Sequence, residues 1–306
     1  MAMPTNLEFT IQTHQKDSNA RLGRLSISKN GSNAVLNTPA LVLGTQFGSI
    51  PFLTRDLLEE LQKVELGAMQ ILAHDSSIVD SDMPCREWLK IPSHVIAIIS
   101  PTPLIQPATQ IGSSSFVSVD TIEGRKQMTN QAYIEKARTT QPDILIGLHY
   151  DSNETKGKKR FNENAHKRSL KWLDHHLLSN QNIPIFGVLL GGNEIRSRAF
   201  CSSQMAKRKN ISGVMVGNLH DCGGVEHLKL SIEASLSEVP NSLPRSVQII
   251  QNPLEVLASI DSGVDLVHNN WPYMLTKDRK AFVANILMPK EFPQSNSEMP
   301  SSDVEV

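Results

Sequence analysis

Strand-length and helix-length apolar patterns alternate along this chain, and that alternation restricts its fold more than any other feature. From residue 130 onward the series is nearly unbroken. Residues 130–139 read as helix, 143–148 as a buried strand after Gln141-Pro142, and 165–178 as an amphipathic helix with Leu170, Leu173 and Leu177 on one face. Then follow strand 185–190, helix 194–207, strand 213–216 and helix 225–236. Strand 246–250, helix 253–260 and strand 264–268 complete the run. Strands separated by helices over short connections run parallel, with the helices as crossovers. Closure into a (β/α)8 barrel fits the 306-residue length, and periodicity alone equally permits an open doubly wound sheet.

The N-terminal third is less regular. Residues 7–13 alternate apolar and polar side chains as a strand does, and Asn30-Gly31 marks a hairpin turn between 21–28 and 34–36. Asn37-Thr38-Pro39 leads into a short apolar run at 40–43. Thr54 is a suitable N-cap for a helix over 55–64, whose Leu57, Leu58, Leu61 and Val64 keep helical spacing. Residues 94–99 form a β-branched strand. The domain division that follows is an N-terminal strand segment over 1–20, a barrel over 21–290, and a tail over 291–306. That tail is rich in Pro, Ser, Asn and Glu and is expected to be disordered.

Composition excludes some functions. A net charge of −1 gives no global attraction to nucleic acid, so any such contact is local or made by a partner. Three widely spaced cysteines, Cys85, Cys201 and Cys222, suit a reducing compartment better than a disulfide framework. No run reaches the roughly 18–20 apolar residues that span a bilayer, and the N-terminus lacks the pattern of a signal peptide. The expected location is the cytosol.

A set of ordered motifs narrows the fold further. Phe186-Gly187 leads through an apolar strand to Gly191-Gly192, and a second Gly-rich segment runs from Gly217 to Gly224. A Pro253-Leu254-Glu255-Val256-Leu257 helix follows, then Gly263-Val264-Asp265-Leu266-Val267-His268 and Trp271-Pro272-Tyr273. Upstream stand 20–26, Asn37-Thr38-Pro39, 44–54, 121–125 with Met128-Thr129, and Gln141-Pro142-Asp143. In this order the motifs resemble the tRNA-guanine transglycosylase family over roughly residues 20–288. The resemblance implies a (β/α)8 TIM barrel with insertions, here with the C-terminal zinc subdomain and last helix missing.

The resemblance also says what is altered. Base exchange at a nucleoside needs a nucleophile for the ribose carbon, a role that suits a carboxylate, and a second carboxylate for the base proton. After Gly-Val-Asp, catalytic members continue Met-Phe-Asp-Cys-Val-x-Pro-Thr-Arg, and the second Asp is the nucleophile. In that register His268 stands at the nucleophile position. The early Asp-Ser-Gly-Gly-Phe-Gln segment has no counterpart between Ile99 and Phe116, and His149 follows Leu148 where a base-binding Asp is expected. Three carboxylate positions are lost together, which implies a non-catalytic member.

Two rival readings stay open at this point: a transglycosylase that uses His268 or Asp265, and an inactive truncated scaffold. The commoner role of such a His is to fill a decayed pocket, and of Asp265 to act as a structural strand residue. Gly191, Gly192 and Gly217 are a base-pocket remnant or simply tight βα turns. Asn218 fills a family glycine position. The basic cluster Lys156, Lys158, Lys159, Arg160, Lys167 and Arg168 is a candidate tRNA contact or a solvated loop entering a helix. His175 and His176 are expected on the surface, and His220, Asp221 and Cys222 in a polar loop.

The family's zinc ligands form Cys-x-Cys-x-x-Cys with a later His, and no such cluster occurs here, so no cofactor is expected in this chain. The partners the resemblance implies are a catalytic tRNA-guanine transglycosylase subunit, in a heterodimer, and tRNA through that complex. The reaction would exchange guanine for queuine at the wobble position of tRNAs with GUN anticodons. The implied location is cytoplasmic, with a peripheral mitochondrial outer-membrane site also consistent with the resemblance.

Overall fold

The computed structural model describes residues 5–283 except 30, 47, 55–56, 58–66, 75–82, 103–112, 114, 122–123, 151–158, 180–181, 220–222 and 251. The chain opens with an antiparallel sheet of β1 (Asn6–His14), β2 (Arg21–Lys29) and β3 (Ser32–Thr38). Next come β4 (Ala40–Gly44), β5 (Ala68–Leu72), the short helix α1 (Cys85–Trp88) and β6 (Ile96–Ser100). A hairpin of β7 (Phe116–Thr121) and β8 (Gly124–Thr129) leads into helix α2 (Asn130–Thr140) and β9 (Ile144–Ile146). The regular half then runs α3 (Lys159–Leu178), β10 (Ile185–Leu189), α4 (Ile195–Met205), β11 (Gly213–Val216) and α5 (Val225–Leu236). It ends with β12 (Arg245–Ile250), α6 (Pro253–Asp261), β13 (Leu266–Asn269) and α7 (Trp271–Lys277).

Eight of these strands close into a parallel barrel in the order β4-β5-β6-β9-β10-β11-β12-β13. Closure rests on β13 against β4, where Leu266 lies beside Ala40 and Asn269 beside Leu43. The barrel, not the open sheet, is therefore the architecture.

Strand alternation builds two apolar cores. Ile96 and Ile98 of β6 share one cluster with Ala68, Ile146, Phe186, Val188 and Met215, while Ala97 and Ile99 belong to the other. The first cluster also contains Leu25, Ile27, Ala34 and Leu36 of the N-terminal sheet, so that sheet floors the barrel interior. The second holds the strand–helix layer, including Tyr133, Leu173, Met205, Leu228 and Ile232. Burial of each such aliphatic side chain contributes about 1.5–3 kcal/mol. Gly213 is fixed by packing, because a Cβ there would lie 2.5 Å from the Phe186 ring.

An ion pair locks the floor to the barrel. Asp265, entering β13, accepts from Arg21 Nε at 2.9 Å and Nη2 at 2.6 Å, and from the Arg245 backbone N–H at 2.6 Å. Arg21 also donates to the carbonyls of Asn241 and Leu243. Both partners are buried, and removing one leaves the other charge unpaired inside the protein. Gly263, two residues earlier, has φ +88°, which turns the chain from α6 into β13.

Most expected elements are present with shifted ends. The strand read at 143–148 contracts to Ile144–Ile146, because the chain beyond it turns into the barrel mouth. The helix read from 165 begins at Lys159. The β7–β8 hairpin, β5, α1 and α7 were not foreseen. The helix expected over 55–64 falls almost wholly outside the described residues. After β13 the described residues hold the 7-residue α7, none of which is buried.

One expectation is corrected on α3. His175 is exposed as foreseen, but His176 is fully buried and stacks on the Tyr133 ring at 5.4 Å. Helical geometry sends neighbouring residues to different faces, and only one of the pair faces solvent. No helix among the described residues is long and apolar enough to cross a membrane.

Burial keeps several imidazoles neutral. His74, His166 and His176 are pushed down to about 4, and His268 to about 3, from the ordinary value of 6.5. The unfolded chain takes up these protons near pH 6.5, whereas the folded barrel refuses them until about pH 4. Stability is therefore full above pH 6.5 and is lost as pH falls from there toward 4, by about 1 kcal/mol per histidine per pH unit. Urea unfolding at pH 7 and pH 4.5 should show a drop of several kcal/mol; equal stabilities would contradict the buried-histidine account. In the same assay at pH 7, Arg21→Ala should cost about 3–5 kcal/mol.

Candidate functional site

The C-terminal ends of barrel strands are where βα loops gather side chains around a common axis. Here those ends converge on a buried polar network. His268 of β13 donates from Nδ1 to Gln70 Oε1 of β5. Gln70 Nε2 donates to the Thr102 carbonyl at 2.9 Å, and Gln248 Nε2 of β12 reaches the same oxygen at 3.3 Å. The Thr102 hydroxyl meets His149 Nε2 at 2.9 Å, and His149 Nδ1 donates to the Gly147 carbonyl at 3.0 Å. Thr45 after β4 caps the Gln70 carbonyl at 2.9 Å. Six of the eight strand ends are thus tied across the mouth. The hydrogen bonds named here among the described residues use amides, hydroxyls, imidazoles and backbone carbonyls.

The bonding pattern fixes the state of His268. Gln70 spends its amide nitrogen on a carbonyl, so its oxygen faces the ring and Nδ1 must carry the proton. Nε2 is left as a buried lone pair with no hydrogen-bond partner. The ring is completely buried, and desolvation lowers its pKa to about 3. A lone pair on Nε2 has the electrons for nucleophilic attack, but attack on a ribose carbon would leave a glycosyl-imidazolium. The burial that rejects a proton from this ring disfavours that cation by the same physics.

Asp265 is no nearer to the chemistry. It lies at the start of β13, at the floor of the barrel, held by Arg21 and Arg245. Burial pushes its carboxyl up and the Arg21 guanidinium opposes that shift. The residue serves structure there.

The glycine elements are gathered around a buried guanidinium that sequence reading missed. Arg198 of α4 donates from Nε to the Gly192 carbonyl at 2.7 Å and from Nη2 to the Asn218 carbonyl at 2.6 Å. Both terminal nitrogens also reach the Gly217 carbonyl at 3.3 Å. A Cβ on Gly191 would sit 2.3 Å from Arg198 Cγ, so this glycine makes room for the arginine. Asn218 has φ +56°, a conformation that glycine favours and that asparagine tolerates better than most residues.

The remaining sequence candidates divide simply. His268 and His149 come together through Gln70 and Thr102. Gly191, Gly192 and Gly217 come together through Arg198. Lys158, His220, Asp221 and Cys222 lie outside the described residues. Lys159 and Arg160 open α3. Among the described residues no group of three or more His, Cys, Asp or Glu is placed to hold a metal ion. Of the cysteines, Cys85 and Cys201 are buried free thiols, and burial pushes Cys85 up to about 12. A zinc-binding thiolate fits neither position.

A parallel eight-stranded barrel with a polar mouth defines an α/β barrel of enzyme architecture. The sequence profile of the queuine tRNA-ribosyltransferase family matches residues 16–299, and the chain belongs to that family. Similar proteins include the queuine tRNA-ribosyltransferase accessory subunit 2 of Aedes aegypti, 25% identical over 292 residues covering 90% of this chain and 69% of that one. That of Xenopus laevis is 28% identical over 274 residues, covering 85% and 65%, and that of Homo sapiens 26% over 273 residues, covering 84% and 65%. The chain spans about two-thirds of the length of these curated relatives.

A carboxylate returned to the strand end tests the site. His268→Asp should give no base exchange by the chain alone. It should also destabilise the fold by about 3 kcal/mol or more, because an unpaired carboxylate replaces a neutral bonded ring. Labelled-guanine exchange and thermal unfolding check the two halves; solo exchange at a measurable rate would contradict the account.

Proposed function

We propose that this chain is the non-catalytic subunit of a heterodimeric tRNA-guanine transglycosylase that exchanges guanine for queuine at the wobble position of tRNA. The observation that carries the reading is the neutral, fully buried His268 at the strand end where the family places its nucleophile. Membership of the family and the accessory-subunit names of the relatives support it. The catalytic carboxylates would come from a partner subunit, and this barrel would contribute its surface to assembly and to tRNA placement. Lys158, Lys159 and Arg160 are, by their charge, candidates for phosphate contacts. The subunit would need no metal of its own, and its location would be cytosolic or peripheral at the mitochondrial outer membrane.

The rival in which His268 or Asp265 carries the covalent step is weakened by position. One ring is sealed inside the network and the other group is committed to Arg21 at the opposite end of the barrel.

The test is labelled-queuine incorporation into tRNA by this chain, by the catalytic homologue, and by their mixture. Incorporation by the mixture at least ~10-fold above either chain alone is expected. Incorporation by this chain alone would refute a non-catalytic role, and no gain on mixing would refute the accessory role.

A further inference from the structure

A cavity of about 130 Å³ opens at the floor end of the barrel, away from the polar mouth. It lies where the turn end of the β2–β3 hairpin, helix α1 and the connection from α2 to β9 meet. Ile27, Ala34 and Pro84 give it an apolar wall, and Ser32 and Ser93 bring hydroxyls to its exposed side. Lys29, Arg86 and Asp143 stand together on the remaining wall. Glu87, exposed on α1, is the second acid of the lining.

Two cations share one buried carboxylate there, and they share it unequally. Asp143 Oδ2 accepts from Arg86 and from the Ala97 backbone N–H at 2.8 Å. Its Oδ1 lies 3.8 Å from Lys29 Nζ, an ion pair too long for a hydrogen bond. Arg86 is further committed to the carbonyls of Pro92 and Val95. Lys29 donates to the carbonyls of Gln141 and Pro142. An ammonium has three N–H groups, so one of them finds no acceptor within hydrogen-bond length among the described residues. Loss of water lowers the Lys29 amine, and Asp143 opposes that only in part. The cavity is short of one anionic acceptor.

Chemistry selects the ligand. An oxyanion supplies the acceptor that Lys29 lacks, and the serine hydroxyls donate to its second oxygen. The apolar wall favours a ligand that also carries hydrocarbon. We propose that this cavity binds a small carboxylate with a short apolar tail, its oxygens on Lys29, Ser32 and Ser93 and its tail against Ile27, Ala34 and Pro84. The bound anion joins the hairpin to α1 and to the α2–β9 connection, and so stabilises the floor of the barrel by mass action. The inference is independent of the accessory role and requires nothing of the barrel mouth.

The experiment is an amide chemical-shift titration of the full chain at fixed ionic strength, with butyrate as the probe. Its neutral isostere butyramide and inorganic phosphate are titrated alongside. Butyrate should produce saturable shifts centred on the cavity lining with a Kd of about 1 mM, and should raise the thermal midpoint. Butyramide should not saturate, and phosphate, which has no tail, should bind more weakly than butyrate. Lys29→Met should bind butyrate at least ~10-fold more weakly. Ser32→Ala with Ser93→Ala should also weaken it, and Glu87→Gln, which removes the rim acid, should bind at least as tightly as the unmodified chain. Lys90→Gln is the control, because Lys90 is exposed beside α1 and outside the lining. It should bind butyrate as the unmodified chain does.

The absence of saturable shifts with butyrate overturns the site. Equal binding of butyrate and butyramide overturns it as well, since the anion contact would then contribute nothing. Equal losses in Lys29→Met and Lys90→Gln would mean diffuse charge attraction, and phosphate binding tighter than butyrate would remove the apolar half of the site. Should Lys29→Met fail to fold, the surface variants decide: weaker binding by Glu87→Gln, or unchanged binding by the serine pair, contradicts the proposal.

Discussion

The hydrogen bond from His268 Nδ1 to Gln70 Oε1 is the interaction on which the barrel mouth depends. It ties β13 to β5 through side chains that lie two strands apart in the barrel order, with β4 between them. It orients Gln70 so that its amide nitrogen must serve Thr102, and Thr102 in turn holds His149. Every member is buried, so each unmade bond would cost about 1–3 kcal/mol, and the set behaves as one unit. A carboxylate at position 268 would face Gln70 Oε1, an acceptor, unless that amide flipped and abandoned Thr102. The network and a catalytic carboxylate are therefore alternatives at the same site.

The two ends of β13 show how one strand divides its work. At its start, Asp265 joins Arg21 of the flooring sheet, so an N-terminal element is fastened to the last barrel strand. At its end, His268 is sealed in the mouth, and immediately beyond it Trp271 and Tyr273 lie partly exposed on α7. Structural fastening is concentrated below, and the upper end is the one where this barrel architecture usually places its sites. What differs is the layer between, where neutral hydrogen bonds fill the space that chemistry would require to be open. Arg198 does the same beside it, drawing the loops after β10 and β11 together through the carbonyls of Gly192, Gly217 and Asn218.

Much of this was legible in the sequence because period is a local property. The helices over 130–140 and 225–236 and the strand over 213–216 follow directly from their apolar spacing. The altered positions His268 and His149 were legible because ordered motifs set their register. The partners of those histidines were not. Gln70 interrupts the apolar run Ala68–Leu72 and so hid β5, when its polarity was the sign of a role in the barrel interior. Arg198 reads as an ordinary helix cation, and only tertiary contact shows it buried. The β7–β8 hairpin was missed because its second strand, Gly124–Thr129, is polar and almost wholly exposed. His176 was misplaced because two adjacent histidines look alike until the helix phase is known.

The most direct measurement is a histidine-selective NMR titration of the folded chain, with His268→Gln used to assign the resonance. The account predicts a neutral Nδ1–H ring for His268 that remains unprotonated down to about pH 4, because its pKa is held near 3 by burial. A ring that titrates near the ordinary 6.5, or that carries its proton on Nε2, would contradict the sealed network and reopen the strand end to chemistry.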